Sequence, residues 1–417
     1  MQYIIDVPES FNPIIKLPAS KSISNRAMII HALSNSKNPP DNLSDCDDTS
    51  VIVEALRDMP DVIDIKAAGT AMRFMSAYLS VIPGTHTITG TERMKRRPIG
   101  RLVDALRFLG ANIEYLEEEG YPPLKITGGR HEGGYIEVSG NISSQYISAL
   151  LMIGPALTKG LELKLTGDII SRPYIDLTLW MMKEFGADAE WSDIDTITVS
   201  PQPYIPHDYF IESDWSAASY WYEMLAISDN TEDEIRFTGL MDGSKQGDSI
   251  ARYIFSLLGI KTTFDTKEEG VPTTVRLRKL NRKVPRLDYD FVNCPDLAQT
   301  FVVCCAMMDV PFRFTGLKTL KIKETDRITA LKTEMKKMGY IIREENGSAL
   351  IWEGEKCEPL EDISIDTYED HRMALAFAPA AIKIPHLKIN NPQVVTKSYP
   401  SYWKDLKNAG FIINEAQ

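Results

Sequence analysis

The chain has 417 residues, too many for one average domain and enough for roughly two or three. Its 58 acidic against 46 basic side chains leave a net charge of −12, which disfavours a general nucleic-acid binder, because such proteins need a basic footprint. No apolar run is long enough to cross a bilayer, and the N-terminal MQYIIDVPES lacks a basic segment followed by an apolar one, so a soluble, unexported protein is expected. The five cysteines form no CxxC pair and the six histidines no HExxH, which points to a reducing cytoplasm and to no metal site.

Taken in order, the first informative stretch is KLPASKSISNRAMIIHAL, from Lys16 to Leu33. Pro18 holds the entry extended, Ser20 or Ser22 can cap the first free amides, and the apolar run from Ala27 predicts a buried helix. The start of that helix offers free N–H groups and a positive dipole end, with Lys21 beside it and Arg26 about one turn in. That is a place for an anion such as phosphate, although a capped helix with two solvated cations reads equally well from this stretch alone. Gly69-Thr70-Ala71-Met72-Arg73 has a glycine whose amide a ligand can approach, then an arginine. Arg93-Met94-Lys95-Arg96-Arg97-Pro98 sets a cationic cluster before a helix with proline at its first position. Ser143-Ser144-Gln145 and Ser171-Arg172-Pro173-Tyr174 open two further helices with hydroxyls that bind a ligand or simply cap.

In the second half, Asp296 follows Cys294-Pro295 and opens a very apolar helix, as an N-cap or, where water is excluded, as a base. Lys323-Glu324-Thr325-Asp326-Arg327 is the densest charge alternation in the chain. There Thr325 can cap the helix and leave Lys323 and Glu324 at its positive end. Asp370-His371-Arg372 precedes MALAFAPAA, and Lys397-Ser398-Tyr399-Pro400 precedes the last helix.

These stretches belong to a repeat. Buried helices are predicted near Ser22, Thr70, Ser144, Trp215, Asp296 and His371. They alternate with amphipathic helices that end in apolar-Gly-apolar, with Gly110, Gly186, Gly259, Gly339 and Gly410 where a C-terminal cap belongs. The glycines recur roughly every 70 to 80 residues, a period that signals repeated architecture. The first copy lacks its glycine, since Val51 to Met59 runs into Pro60. Short runs such as LKITGG, YIEVSG and LELKLTG read as strands. The unit is strand–helix–strand–helix–strands, six times over, grouping as two α/β domains of three. Lys21, Arg26, Arg97, Arg327, Arg372 and Lys397 fall at helix N-termini, with carboxylates at Asp296 and Glu324. That set suits two polyanions brought together for a proton-dependent reaction without a metal. A Walker A loop is absent, which disfavours an ordinary ATP-dependent kinase.

In this order, LPASKSISNR, AGTAMR, RPIGRLVDALRFLGA, GNISSQYISALLM, SRPYIDLTLWMMKEFGA, DWSAASYW, CPDLAQT, KIKETDRI, EDHRMALAF and VVTKSYPSYW closely resemble the 5-enolpyruvylshikimate-3-phosphate synthases, over nearly the whole chain. The resemblance implies two similar domains of three βαβαββ repeats, an enolpyruvyl transferase-like inside-out α/β barrel. Residues 20–212 would form one domain, and 1–19 with 213–417 the other, with the active site in a cleft that closes on substrate. It implies transfer of the enolpyruvyl group of phosphoenolpyruvate to the 5-hydroxyl of shikimate 3-phosphate by addition–elimination. The setting would be cytoplasmic aromatic amino-acid biosynthesis by a monomer, without cofactor, nucleic acid or membrane. By matching motifs, Lys21, Ser22, Arg26, Ser143, Ser144, Ser171, Tyr174, Asp296 and Lys323 look like shikimate-phosphate contacts. Lys21, Gly69, Arg97, Gln145, Arg327, Arg372 and Lys397 look like phosphoenolpyruvate contacts. Lys21, Asp296 and Glu324 look catalytic: Asp296 for the hydroxyl proton, Glu324 for the methylene carbon, and Lys21 able to share either task.

The chain departs from the family pattern GNAGTAMRP, a stretch tied to glyphosate response, at Ala67 and Phe74, and it has Thr319 where an asparagine often contacts substrate. Of the rivals, a UDP-N-acetylglucosamine enolpyruvyl transferase would want a cysteine near Arg93 to Arg97, where none stands. An RNA 3′-phosphate cyclase fits poorly with the acidic balance and with the SSQ and KETDR motifs. A non-catalytic anion-binding scaffold would have little use for both Asp296 and Glu324.

Overall fold

The computed structural model describes residues 1–416 except Lys267 and Asn281. The chain divides into two compact units, one of residues 19–211 and one of residues 1–18 with 212–417. Each has its own hydrophobic core.

Among the described residues, five four-stranded sheets share one topology. In the 19–211 unit, strand Val62–Asp64 runs parallel to Gly84–Thr89, which pairs antiparallel with Leu124–Gly128, itself paired with Asn112–Tyr115. The helices Gly69–Val81 and Gly100–Phe108 make the connections. A parallel pair needs a crossover, which the helix supplies, while the two later strands need only a short turn. In the last repeat the fourth strand comes from the chain's beginning. Gln2–Asp6 lies between Leu387–Asn390 and Ile412–Glu415, antiparallel to both.

The sixth repeat is reduced. It has the helices Lys21–Leu33 and Asp47–Asp58. Among the described residues, a single parallel bridge from Asp41 to Phe210 stands where the others have a sheet. The connecting SNSKNPPDNLSDC explains this. Two consecutive prolines remove ladder donors, and no apolar alternation offers a face to bury. The unit read six times over thus has its sheet in five copies, while the first, glycine-lacking copy keeps its two helices and the single bridge.

The two kinds of helix occupy two layers. Helices apolar nearly all round have no solvent face, so they go to the centre of each unit. All of Ala298–Met307 is buried, as are all residues but one of both Trp215–Ile227 and Gly69–Val81. In the 19–211 unit the inner helices are Lys21–Leu33, Gly69–Val81 and Ser144–Ile153, in mutual contact. The amphipathic helices end as expected, with Gly110, Gly186, Gly259, Gly339 and Gly410 all at positive φ. In the copy without glycine, Met59 takes the left-handed position at φ 38° and donates its N–H to the Ala55 carbonyl.

Candidate active site

Within each unit the N-terminal ends of the inner helices meet, and most of the sequence-predicted residues lie there.

In the 19–211 unit, Ser20 caps the helix Lys21–Leu33 by accepting from the Ile23 N–H, and Lys21 is its first residue. The Lys21 Nζ lies 3.2 Å from Asp48 Oδ2, a carboxylate that no spacing in the sequence marked. Arg26 turns inward and is 3 % exposed. Its Nε donates to Thr178 Oγ1 at 2.7 Å, its Nη1 to the Ser22 carbonyl at 2.9 Å, and its Nη2 to Ser148 Oγ at 3.1 Å and the Tyr174 carbonyl at 3.3 Å. None of these acceptors is a carboxylate, and burial lowers its pKa to about 10, with the nearby Tyr174 opposing. Arg26 stays protonated at neutral pH, a buried cation held by neutral oxygens. Such a charge is costly unless an anion compensates it. Phe74, one of the departures, is fully buried and lies under this guanidinium, 5.4 Å from ring centre to Cζ.

Gly69 opens its helix without a side-chain cap, so its end amides are available. A Cβ there would stand 2.5 Å from Arg97 Nη1, so only glycine lets the Arg97 guanidinium lie this close. Arg73 braces the arrangement, donating to the Gly69 carbonyl at 2.9 Å and to the Pro98 carbonyl at 3.2 Å, which also accepts from Tyr146 OH at 2.6 Å. Gln145 is fixed by its Nε2 donating to Thr70 Oγ1 at 3.0 Å. Ser143 caps the helix that begins at Ser144. Ser171 sits at φ 54° before Arg172–Glu184, makes no capping bond, and is buried.

In the other unit, Asp296 lies in the 3-10 turn Pro295–Leu297, just before Ala298–Met307. It does not cap; three cations grip it. Arg327 Nη1 is at 3.0 Å, Arg372 Nη2 at 3.1 Å and Lys323 Nζ at 3.4 Å. Burial works to raise its pKa, but Arg372, Lys323 and Arg327 together hold it well below the usual carboxylate range. Arg327, 1 % exposed, also donates to Glu324 Oε2 at 2.8 Å and to both oxygens of Asp370 at 2.7 and 3.2 Å. Burial would lower the Arg327 pKa, and Asp370, Glu324 and Asp296 overcome it and raise it. Asp370 caps the next inner helix through the Arg372 N–H at 2.9 Å. Arg372 Nη1 reaches Tyr220 OH at 3.2 Å and the Asp296 carbonyl at 3.3 Å. Lys397 Nζ donates to the Glu369 carbonyl at 3.4 Å, next to Asp370.

One expectation changes here. The cap of Arg327–Lys337 is Asp326, which accepts from the Thr329 N–H at 3.1 Å, and not Thr325. A carboxylate is the better acceptor at a dipole's positive end. The cations at Arg327 and Arg372 are paired with the two carboxylates expected beside them, Asp296 and Glu324, and Arg327 also holds Asp370, which was not among the expected site residues. Asp48, Asp370, Ser216 and Tyr220 complete these networks. Only Asp370 had a local signal, as the residue before a helix. The Thr319 hydroxyl oxygen is buried and makes no hydrogen bond to any described residue.

The family model for EPSP synthase (3-phosphoshikimate 1-carboxyvinyltransferase) matches residues 5–61 and 59–406. A Bacteroides fragilis protein named 3-phosphoshikimate 1-carboxyvinyltransferase is 59 % identical over 411 residues, 99 % of this chain and 98 % of that one. One of the same name from Aliivibrio fischeri is 36 % identical over 424 residues, covering 95 % and 96 %. Among solved structures, EPSP synthase from Acinetobacter baumannii superposes with a TM-score of 0.78 at 21 % identity, covering 99 % of this chain and 100 % of that one. The enolpyruvyl transferase NikO from Streptomyces tendae gives 0.73 at 15 % identity, covering 100 % and 98 %; these two likenesses bear on the fold alone.

Proposed function

The chain belongs to the EPSP synthase (3-phosphoshikimate 1-carboxyvinyltransferase) family and is an enolpyruvyl transferase of the shikimate pathway, and on that premise we propose how its residues share the work. The substrates are small molecules, shikimate 3-phosphate and phosphoenolpyruvate. Lys21, Ser22, Arg26, Ser143, Ser144, Ser171, Tyr174 and Lys323 take the shikimate phosphate. Lys21, Gly69, Arg97, Gln145, Arg327, Arg372 and Lys397 take phosphoenolpyruvate. The buried Arg26 with only neutral acceptors supports an anionic ligand in its unit.

The single observation that carries the chemistry is the shared guanidinium of Arg327, which holds Asp296 and Glu324 at once. Asp296 takes the proton of the 5-hydroxyl as its oxygen bonds to C2 of phosphoenolpyruvate, and Glu324 delivers a proton to C3. The tetrahedral adduct then expels phosphate from C2 while Glu324, deprotonated in the addition, takes a proton back from C3, and the electrons of that C–H bond rebuild the double bond. Without substrate, three cations make Asp296 a weak base. Phosphate and carboxylate groups placed on the same cations would share that charge and raise its basicity, so the base strengthens only when both substrates are present. Lys21 is the alternative partner for either proton. A cytoplasmic setting, in keeping with five free thiols, and a monomeric state belong to the same proposal. Sedimentation at working concentration tests the latter.

The deciding assay is phosphate release from phosphoenolpyruvate with shikimate 3-phosphate or with UDP-N-acetylglucosamine. Turnover with shikimate 3-phosphate alone is expected. Asp296→Asn is expected to abolish it, and an active Asp296→Asn would remove Asp296 from the mechanism.

A further inference from the structure

One carboxyl beside this network has no role in the chemistry above. Asp248 lies in the 3-10 turn Gly247–Ile250 and is 4 % exposed. Ser216 Oγ donates a short hydrogen bond to its Oδ2. The same hydroxyl receives Arg372 Nη2 at 3.5 Å, and that nitrogen also donates to Asp296 Oδ2 at 3.1 Å. The far side of Arg372 is pinned by Tyr220 OH, one turn beyond Ser216 on the same inner helix. The helix is itself fixed by Asp214, whose Oδ1 caps the Ser216 and Ala217 amides at 2.7 and 3.2 Å. A line of contacts therefore runs Asp248, Ser216, Arg372, Asp296, entirely within one unit.

We propose that Asp248 is a positioning residue for enolpyruvyl transfer: through Ser216 it holds the Arg372 guanidinium between two carboxyls and so sets how tightly Arg372 grips Asp296. This rests on Asp296 being the group that takes the hydroxyl proton.

The physical reasoning is a competition for one cation. While Asp248 is charged, Arg372 is drawn toward both acids, and its hold on Asp296 is shared. When Asp248 carries a proton, the guanidinium answers to Asp296 alone, which lowers the basicity of Asp296 further. The charged groups facing Asp248 are Arg372 from the helix His371–Phe377, Asp296 from the turn Pro295–Leu297, and Asp214 from the helix cap; the Cys294 thiol faces it as well. Burial pushes the Asp248 carboxyl up to about 6; Arg372 opposes this, and Asp296 and Asp214 add to it. Two neighbouring carboxyls are thus driven apart, Asp248 up and Asp296 down, an arrangement that separates the groups' tasks. Below about pH 6 the folded protein holds Asp248 neutral, and turnover falls because the base is weakened.

The test compares pH profiles of kcat and KM for wild type, Asp248→Asn, Ser216→Ala and Asp296→Asn, with circular dichroism and thermal unfolding run on each. Asp248→Asn keeps the shape and fixes the neutral state. It is expected to lower kcat at pH 7.5 by about 10- to 100-fold, the range usual for groups that orient a reacting partner. It should leave the KM for phosphoenolpyruvate within about threefold and abolish the acidic limb near pH 6. Ser216→Ala cuts the link without touching the carboxyl and should show the same loss in smaller measure, so the idea stays testable if Asp248→Asn does not fold. A folded Asp248→Asn with the wild-type limb and rate overturns the proposal, as does a folded Ser216→Ala of unchanged kcat and profile. An active Asp296→Asn overturns the underlying assignment instead, and an inactive one beside a wild-type-like Asp248→Asn overturns the role of Asp248 alone.

Discussion

Glu223 gives the sharpest physical prediction. It lies in the inner helix Trp215–Ile227, is 0 % exposed, and neither carboxyl oxygen has a hydrogen-bond partner among the described residues. Its surroundings include Cys304, Cys305 and Tyr402, and burial raises its pKa well above the ordinary carboxyl value. An unpaired buried polar group costs about 1–3 kcal/mol. Glu223→Met has a similar reach and no such group, and should stabilise by about that amount, roughly 2–4 °C of Tm per kcal/mol for a unit of this size. The sign with pH follows from the raised folded pKa. The contribution of Glu223 to stability is largest below its unfolded pKa of about 4.3. That contribution then falls by about 1.4 kcal/mol for each pH unit up to the folded pKa, because Glu223 ionises in the unfolded chain and not in the folded one. The gap between Glu223→Met and wild type should therefore widen from pH 5 to pH 7. Glu223→Gln should remove the pH slope while keeping the unpaired polar group. Urea unfolding of the three proteins at pH 5, 6 and 7 measures this. A gap independent of pH, or a destabilised Glu223→Met, would show that the carboxyl is ionised and paired, and the reasoning would fail.

Gly69→Ala should drive Arg97 from its place, since the new methyl would stand 2.5 Å from Nη1. We expect the KM for phosphoenolpyruvate to rise roughly tenfold, about 1.4 kcal/mol of binding, with a smaller change in kcat; an unchanged KM would remove Arg97 from that site. Glu324→Gln should lower kcat by about 10²–10⁴-fold with little change in KM, whereas a variant that only raised KM would show a binding role. Lys21→Ala and Arg372→Ala should each abolish turnover with circular dichroism unchanged, and wild-type-like rates in either would refute the site.

The repeat was legible because its punctuation is local: apolar-Gly-apolar marks a left-handed helix end wherever it occurs. Met59 escaped that signal because there the same conformation is taken by a residue that does not advertise it. The reduced repeat was only half visible, since the helical pattern survives while the strands between Ser34 and Cys46 do not. The positions of Arg327 and Arg372 at helix starts were readable, but their partners were not. Asp296 and Asp370 lie 31 and 43 residues from Arg327, and Asp48 lies 27 from Lys21. No one-dimensional spacing reports pairs that only folding brings together.

The strand Gln2–Asp6 leaves the ribosome long before its two neighbours, both of which lie beyond residue 386. About 400 residues must follow before the sheet can form, roughly 20–80 s at ordinary synthesis speeds. Residues 19–211 contain a complete core and can fold during that wait. The nascent polypeptide therefore carries a short unpaired strand, a bare edge that invites mispairing until residues 387–415 have been made. Assembly order is thus written into the connectivity: the inserted module matures first, and the module that encloses it in sequence is stitched shut last.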